Sequence, residues 1–313
     1  MKKLIAYLAF VFMVAAVPVT AADSIKVFAC EPEWASLVNE LGGEYVQTYA
    51  ATNAQQDPHH IRARPSLLAK MRGSELVLCS GADLEVGWLP LLLQKSGGKG
   101  VQPGAEFSLM AADLVPVLEK PQVIDRSMGD VHPDGNPHVH LNPHNIILVA
   151  KVVHDRLKRL RPEYAAQFQQ QYQQFVTRWT KAIADWENTA QSLKGQSVFA
   201  HHKSWSYLID WLGLNLINTL EPKPGLPPTA GQLEKLFVEA RTKQAFAILR
   251  TPYDPSAPSQ WLGAKANITQ LQLPYTIGGR DNITDLFLLF DETLAELLAA
   301  SKNIDRAKVS HDE

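Results

Sequence analysis

Cysteine is scarce in this chain: of 313 residues only Cys30 and Cys79 carry a thiol. Two thiols cannot make a disulfide scaffold or a cysteine-based zinc site, though such a pair can bridge in an oxidising compartment. A basic surplus is missing too, with 30 Lys and Arg against 32 Asp and Glu. Nothing in that balance invites nucleic acid or anionic lipid. Beyond the first two dozen residues no apolar run approaches the roughly 20 residues that span a bilayer. Neither H-E-x-x-H nor G-x-S-x-G occurs, which removes the two commonest signatures of a secreted zinc or serine hydrolase.

The opening MKKLIAYLAFVFMVAAVPVTAAD combines a Lys2-Lys3 start, a short apolar stretch and small residues at its end. It reads as a signal peptide over residues 1–22, cleaved after Ala21 or Ala22, and not as a membrane anchor. No cysteine stands at the cleavage point to take a lipid. The expected product is soluble and exported, most simply to a bacterial periplasm. Removing the leader takes two lysines and no acid, leaving 28 basic and 32 acidic residues and a formal charge of −4. The remaining length suffices for two domains.

Strand-like and helix-like stretches alternate twice. "SIKVFAC", "EYVQTYA" and "SELVLCSGAD" read as strands around helices at "EPEWASLVNELGG" and "PSLLAKMRG", an α/β lobe with a parallel sheet over residues 23–160. Lys95 to Asn136 is punctuated by glycine and proline and reads mostly as loop. A helix starts at Pro143 with Asn142 as its N-cap. Then Tyr164, Phe168, Tyr172, Phe175, Trp179, Ile183, Trp186, Ala190 and Leu193 recur every three or four residues. They mark one apolar face of a helix over 161–193, about 45 Å long and suited to joining two lobes. From residue 194 to 313 the alternation resumes in a second α/β lobe. Cys30 and Cys79 end the first and third strands, which lie side by side in a 2-1-3 order. A disulfide between them and a pair of reduced buried thiols both fit.

Ten histidines are present, and three pairs of them fall at strand ends or in loops: His59-His60, His138/His140 and His201-His202. Ligands of open parallel sheets bind beyond the carboxyl ends of the strands, so the three pairs can converge on one cleft. Neutral imidazole is a common zinc ligand. His132 and the neighbours His60 and His140 are candidates for accessory metal capture. His144, His154 and His311 read as packed or solvated.

Three motifs around these histidines resemble, in the right order, those of the periplasmic zinc-binding proteins of ABC transporters, a branch of the zinc and manganese solute receptors. "QDPHHIRARPSLL" is similar to the family's D-P-H…P-S motif, with Asp57, Pro58, His59, Pro65 and Ser66 in register. "GNPHVHLNP" is similar to P-H-x-W-L-D-P and puts His138 at the ligand position. "HKSWSYLIDWLGL" is similar to a third motif, in which His202 takes that position. The resemblance implies two α/β lobes on a backbone helix and no enzymatic activity. It implies Zn(II) held by His59, His138 and His202, and delivery to a membrane permease with its ATPase. A periplasmic zinc chaperone is a possible further partner, and a monomer is expected. A manganese or other divalent-metal receptor or adhesin of the same fold is the alternative. The departures concern the fourth ligand. Where the family often has an aspartate, this chain has Tyr275 in "PYTIGGRDN", which leaves Asp281, six residues on, or a water for that position. His140, two residues from His138, is a spare ligand if the segment is extended, since alternate residues of a strand share a face.

Overall fold

The computed structural model describes residues 24–123, 129 and 132–309. The expected signal peptide and His311 lie outside them. Two four-stranded parallel sheets form the frame. The first contains β1 (Ile25–Ala29), β2 (Val46–Ala50), β3 (Leu76–Cys79) and β4 (Ser108–Met110) in the order β2-β1-β3-β4. The second contains β5 (Ser197–Ala200), β6 (Asn215–Thr219), β7 (Ala245–Arg250) and β8 (Thr269–Gln272) in the order β6-β5-β7-β8. The two lobes therefore share one topology.

Helices cover both faces of each sheet, which is why the central strands are apolar throughout. Successive side chains of β1 and β3 point to opposite faces. Val27, Ala29, Leu76 and Leu78 meet α1 (Pro32–Gly42) and α4 (Pro143–Leu160), while Phe28 and Val77 meet α2 (Pro65–Arg72) and α3 (Leu89–Ser96). In the second lobe Phe199 and Ile248 face α7 (Ala230–Thr242) and α8 (Ser256–Ala266), and the opposite face packs on α6 (Ser206–Leu212) and α9 (Leu286–Val309). Local signals set the ends. The Asn142 side chain accepts from the His144 amide, with Pro143 in the first turn of α4, as its sequence predicts. Thr229 caps α7 by accepting from the Gln232 amide.

The aromatic stripe lies on α5 (Ala165–Thr189), which has 25 residues and is extended by a 3-10 turn at each end. Phe168, Phe175, Trp179, Ile183 and Trp186 are buried. They belong to one apolar cluster that runs from β1 and α1 through α5 to β5 and α9 without a break. The Trp179 indole donates to Pro143 O at 2.8 Å and the Trp186 indole to Asp291 Oδ1 at 2.6 Å. Trp186 also stacks on Phe290 at 5.0 Å. This helix links the two lobes.

Two elements depart from the sequence reading. The segment expected to be mostly loop contains β4, three residues long, and "LPLLLQKS" forms α3 just before it. Both are too short for a periodic signal. The cysteines are bridged: Cys30 and Cys79 form a disulfide with Cα atoms 4.8 Å apart, matching the spacing of adjacent strands.

Candidate metal centre

Each histidine pair sends one ring to a common point. His59, His138 and His202 offer ligand nitrogens that all lie within 4.8 Å of one another. Their ring centroids form a nearly equilateral triangle, 5.6 Å from His59 to His138, 5.7 Å from His59 to His202 and 5.8 Å from His138 to His202. His59 comes from the first lobe, nine residues past β2. His202 follows β5 of the second lobe, and His138 lies on the segment that leads into α4.

Each ring is held from behind through its Nδ1. The Asp57 carboxylate accepts from the His59 amide at 3.0 Å and from His59 Nδ1 at 2.7 Å. That turn is anchored in turn by the Trp88 indole, which donates to Pro58 O at 2.9 Å. His202 Nδ1 lies 2.6 Å from Glu221 Oε2, which also accepts from the Gly225 amide at 3.0 Å. His138 Nδ1 lies 2.8 Å from the Tyr275 hydroxyl, and its amide donates to Asn136 Oδ1 at 3.0 Å. A carboxylate accepts only, so Asp57 and Glu221 fix the Nδ1–H tautomer and leave Nε2 with a free lone pair. His138 Nε2 is buried and has no hydrogen-bond partner. An orphaned buried nitrogen of this kind calls for a ligand.

The charges agree with that role. Burial, then the neighbouring imidazoles of His59 and His202, push His138 well below its ordinary range, so it stays neutral. Burial also pushes His202 down, but the hydrogen bond and charge of Glu221 outweigh it and leave the ring raised. Burial raises Asp57, and the hydrogen bond and charge of His59 overcome this, keeping the carboxyl below its usual value. Three Nε2 atoms, each on a ring oriented by an oxygen at Nδ1, suit a zinc-like ion.

The remaining sequence candidates fall elsewhere. His140 is turned away: its Nδ1 lies 3.3 Å from Glu33 Oε1 and its Nε2 3.0 Å from Tyr275 O. The expectation that His138 and His140 share a face assumed an extended segment, whereas Val139–Leu141 is a 3-10 turn. The His60 side chain is 65% exposed. Asp281 is exposed and is not part of the three-histidine group. His132 does approach, with its Nε2 3.1 Å from His59 Nε2.

Two positioning groups, Glu221 and Tyr275, are invisible as such in the sequence. Glu221 comes 19 residues after His202, beyond a whole helix and strand. Tyr275 has φ +62°, and the Thr276 amide donates to Pro274 O at 2.7 Å, a γ-turn that non-glycine residues adopt at a cost. The turn aims the hydroxyl at His138 and the carbonyl at His140. A Cβ at Gly279 would lie 2.0 Å from Pro274 O, so the glycine after the turn is required.

The family model described as zinc-uptake complex component A, periplasmic, matches residues 27–299. The high-affinity zinc uptake system protein ZnuA of Yersinia pestis is 22% identical over 207 residues, covering 62% of this chain and 65% of that protein. That match spans just under two thirds of the relative's length. Among solved structures, one of ZnuA superposes with TM-score 0.69 at 19% identity, covering 90% of this chain and 98% of that one. The solute-binding protein FpvC of Pseudomonas aeruginosa, in complex with Mn2+, gives TM-score 0.71 at 16% identity over 91% and 99% of the two chains. A periplasmic metal-binding protein of Candidatus Liberibacter asiaticus gives 0.71 at 13% identity over 88% and 98%. These structural likenesses establish the shared fold, and the family match covers most of the chain. The chain belongs to the ZnuA family, the periplasmic component A of zinc-uptake complexes, whose members are metal receptors and not enzymes.

Proposed function

We propose that this protein captures Zn(II) between its lobes through Nε2 of His59, His138 and His202 and delivers it to a membrane permease driven by an ATPase. The observation that carries the reading is the trio itself: three rings with Nδ1 engaged by an oxygen, and a buried His138 Nε2 with no partner. The metal is cargo. What the chain supplies is neutral nitrogen ligands in fixed orientation, which favours zinc over harder ions.

Manganese is the second reading, because FpvC was solved with Mn2+ and Ni2+ and the Liberibacter protein with Mn and Cd. Zinc is favoured because Asp57 and Glu221 are committed to the Nδ1 atoms, so no carboxylate completes the oxygen-rich set that manganese prefers. The leader implies export to the periplasm, and no helix among the described residues is long and apolar enough to cross a membrane. Action as a monomer and loading by a periplasmic chaperone belong to the same proposal. Chelator-competition titration with Zn(II) and Mn(II) tests it. The expected result is one tight zinc per chain, far weaker manganese, and near-complete loss of binding in His138→Ala and His202→Ala. Equal affinities for the two metals would transfer the assignment to manganese, and tight zinc binding by both variants would exclude the site.

A further inference from the structure

We infer that His132 is the fourth ligand of this site, so that the bound ion sits among four imidazoles and no water or carboxylate. The inference rests on the three-histidine reading above. It starts from one contact: His132 Nε2 lies 3.1 Å from His59 Nε2. Ligand nitrogens about 2.0–2.1 Å from a tetrahedral zinc stand about 3.3–3.4 Å apart, so this hydrogen-bonded pair needs to part only slightly to face one ion. The His132 ring is centred 5.2 Å from His59 and 6.4 Å from His138; its nitrogens fall outside the set that lie within 4.8 Å of one another, so His132 completes the site by closing in on the trio when the ion binds.

His59 Nδ1 is held by Asp57, so His59 Nε2 is an acceptor and His132 Nε2–H donates to it while no metal is bound. The Ala82 backbone is a second acceptor beside the His132 ring, competing with His59 for the ring's single N–H. Ala82 is a non-glycine residue with φ +47°, a backbone turn that L residues adopt at a cost. Metal between the two Nε2 atoms replaces their shared proton, which the Ala82 side of the His132 ring can take.

The polar groups nearest the trio are already engaged elsewhere. The Tyr275 hydroxyl, the Asp57 carboxylate and Glu221 Oε2 are all turned to the Nδ1 edges of the trio. His140 is bound to Glu33 and to the Tyr275 carbonyl. Asp281 stands exposed at the surface. His132 is on the open side: it lines, with His138, His202 and Asn136, a cavity of about 520 Å³ through which the site meets solvent. A ligand there both completes the coordination and covers the ion.

The test uses the full mature chain, wild type and His132→Ala, loaded with zinc or cobalt(II). X-ray absorption at the zinc edge counts the imidazoles, and azide added to the cobalt form probes for an open coordination position. Wild type should fit four imidazoles and leave its cobalt spectrum unchanged by azide. His132→Ala should fit three imidazoles and an oxygen, shift its spectrum with azide, and lose zinc affinity at least as much as an orienting residue would cost, about 10–100-fold. A wild-type protein with three imidazoles that takes up azide, or a variant indistinguishable from it, would overturn the inference and leave the trio standing. Retention of tight zinc by His138→Ala would instead bring down the trio and this inference together.

Discussion

Asp57 and Glu221 bring negative charge to the three-histidine group from behind its rings. Each carboxylate sits behind an imidazole, at 2.7 Å from His59 Nδ1 and 2.6 Å from His202 Nδ1, where it fixes the tautomer and raises the basicity of the far nitrogen. Glu221→Gln should therefore weaken zinc binding by about 10–100-fold, although Glu221 never touches the ion. Asp281→Ala should leave the affinity unchanged, because that side chain is exposed and outside the histidine group. Chelator competition at neutral pH measures both; a loss in Asp281→Ala comparable to that in Glu221→Gln would assign Asp281 a ligand role. The three histidines and their supports differ in how far the sequence reveals them. His59, His138 and His202 stand in motifs with fixed neighbours, so their register can be read directly. Glu221 and Tyr275 act through contacts made by folding, and no local spacing announces them. His140 misleads because its distance from His138 implies a shared face only on a strand, and the segment is a 3-10 turn.

The sheets explain why the strand ends were informative. In both lobes the first and third strands pair centrally, and Cys30 and Cys79 at the ends of β1 and β3 form a bridge that closes a separation of 49 residues. Titration of the denatured, unreduced protein should find no free thiol. Reduction should lower the unfolding free energy by about 2–4 kcal/mol, read from denaturant midpoints, since the bridge restricts the unfolded chain. Two reactive thiols before reduction would contradict the bridge. Long elements were legible for a simple reason: α5 repeats its apolar residues over seven turns, and a buried strand such as "AFAILR" is apolar throughout. β4 and α3 were not, because three residues of strand and eight of helix carry too few repeats for a period to emerge, and tertiary packing against β3 and α2 decides them.

One apolar cluster runs through α5 into both lobes, so the histidine group is built between packed halves, and chemistry at the rings themselves can govern how tightly metal is held. Protons are one such lever. Zinc requires the neutral rings, and the rings do not compete equally for protons. His138 is held neutral by burial and by its imidazole neighbours, so it binds no proton as pH falls through the physiological range. His202, pushed down by burial but raised overall by the hydrogen bond and charge of Glu221, takes a proton more readily than a free imidazole. In the metal-free protein the His202–Glu221 pair adds stability that is fully present below the ring's unfolded pKa and is lost as pH rises through the raised folded value. Acid therefore favours the metal-free state. Zinc affinity should fall between pH 7.5 and 5.5, with no more than two protons displaced from the trio per zinc, and Glu221→Gln should move the fall to lower pH. Calorimetry in buffers of different ionisation heat counts those protons; an affinity flat across that range would rule out imidazole ligands.

The most direct measurement is a crystal structure of the zinc-loaded protein with anomalous data collected on both sides of the zinc absorption edge. The expected map has one strong zinc peak in the cleft, within bonding distance, about 2.0–2.1 Å, of Nε2 of His59, His138 and His202. A peak bound to other residues, or no zinc peak between those three rings, would contradict the assignment of this site.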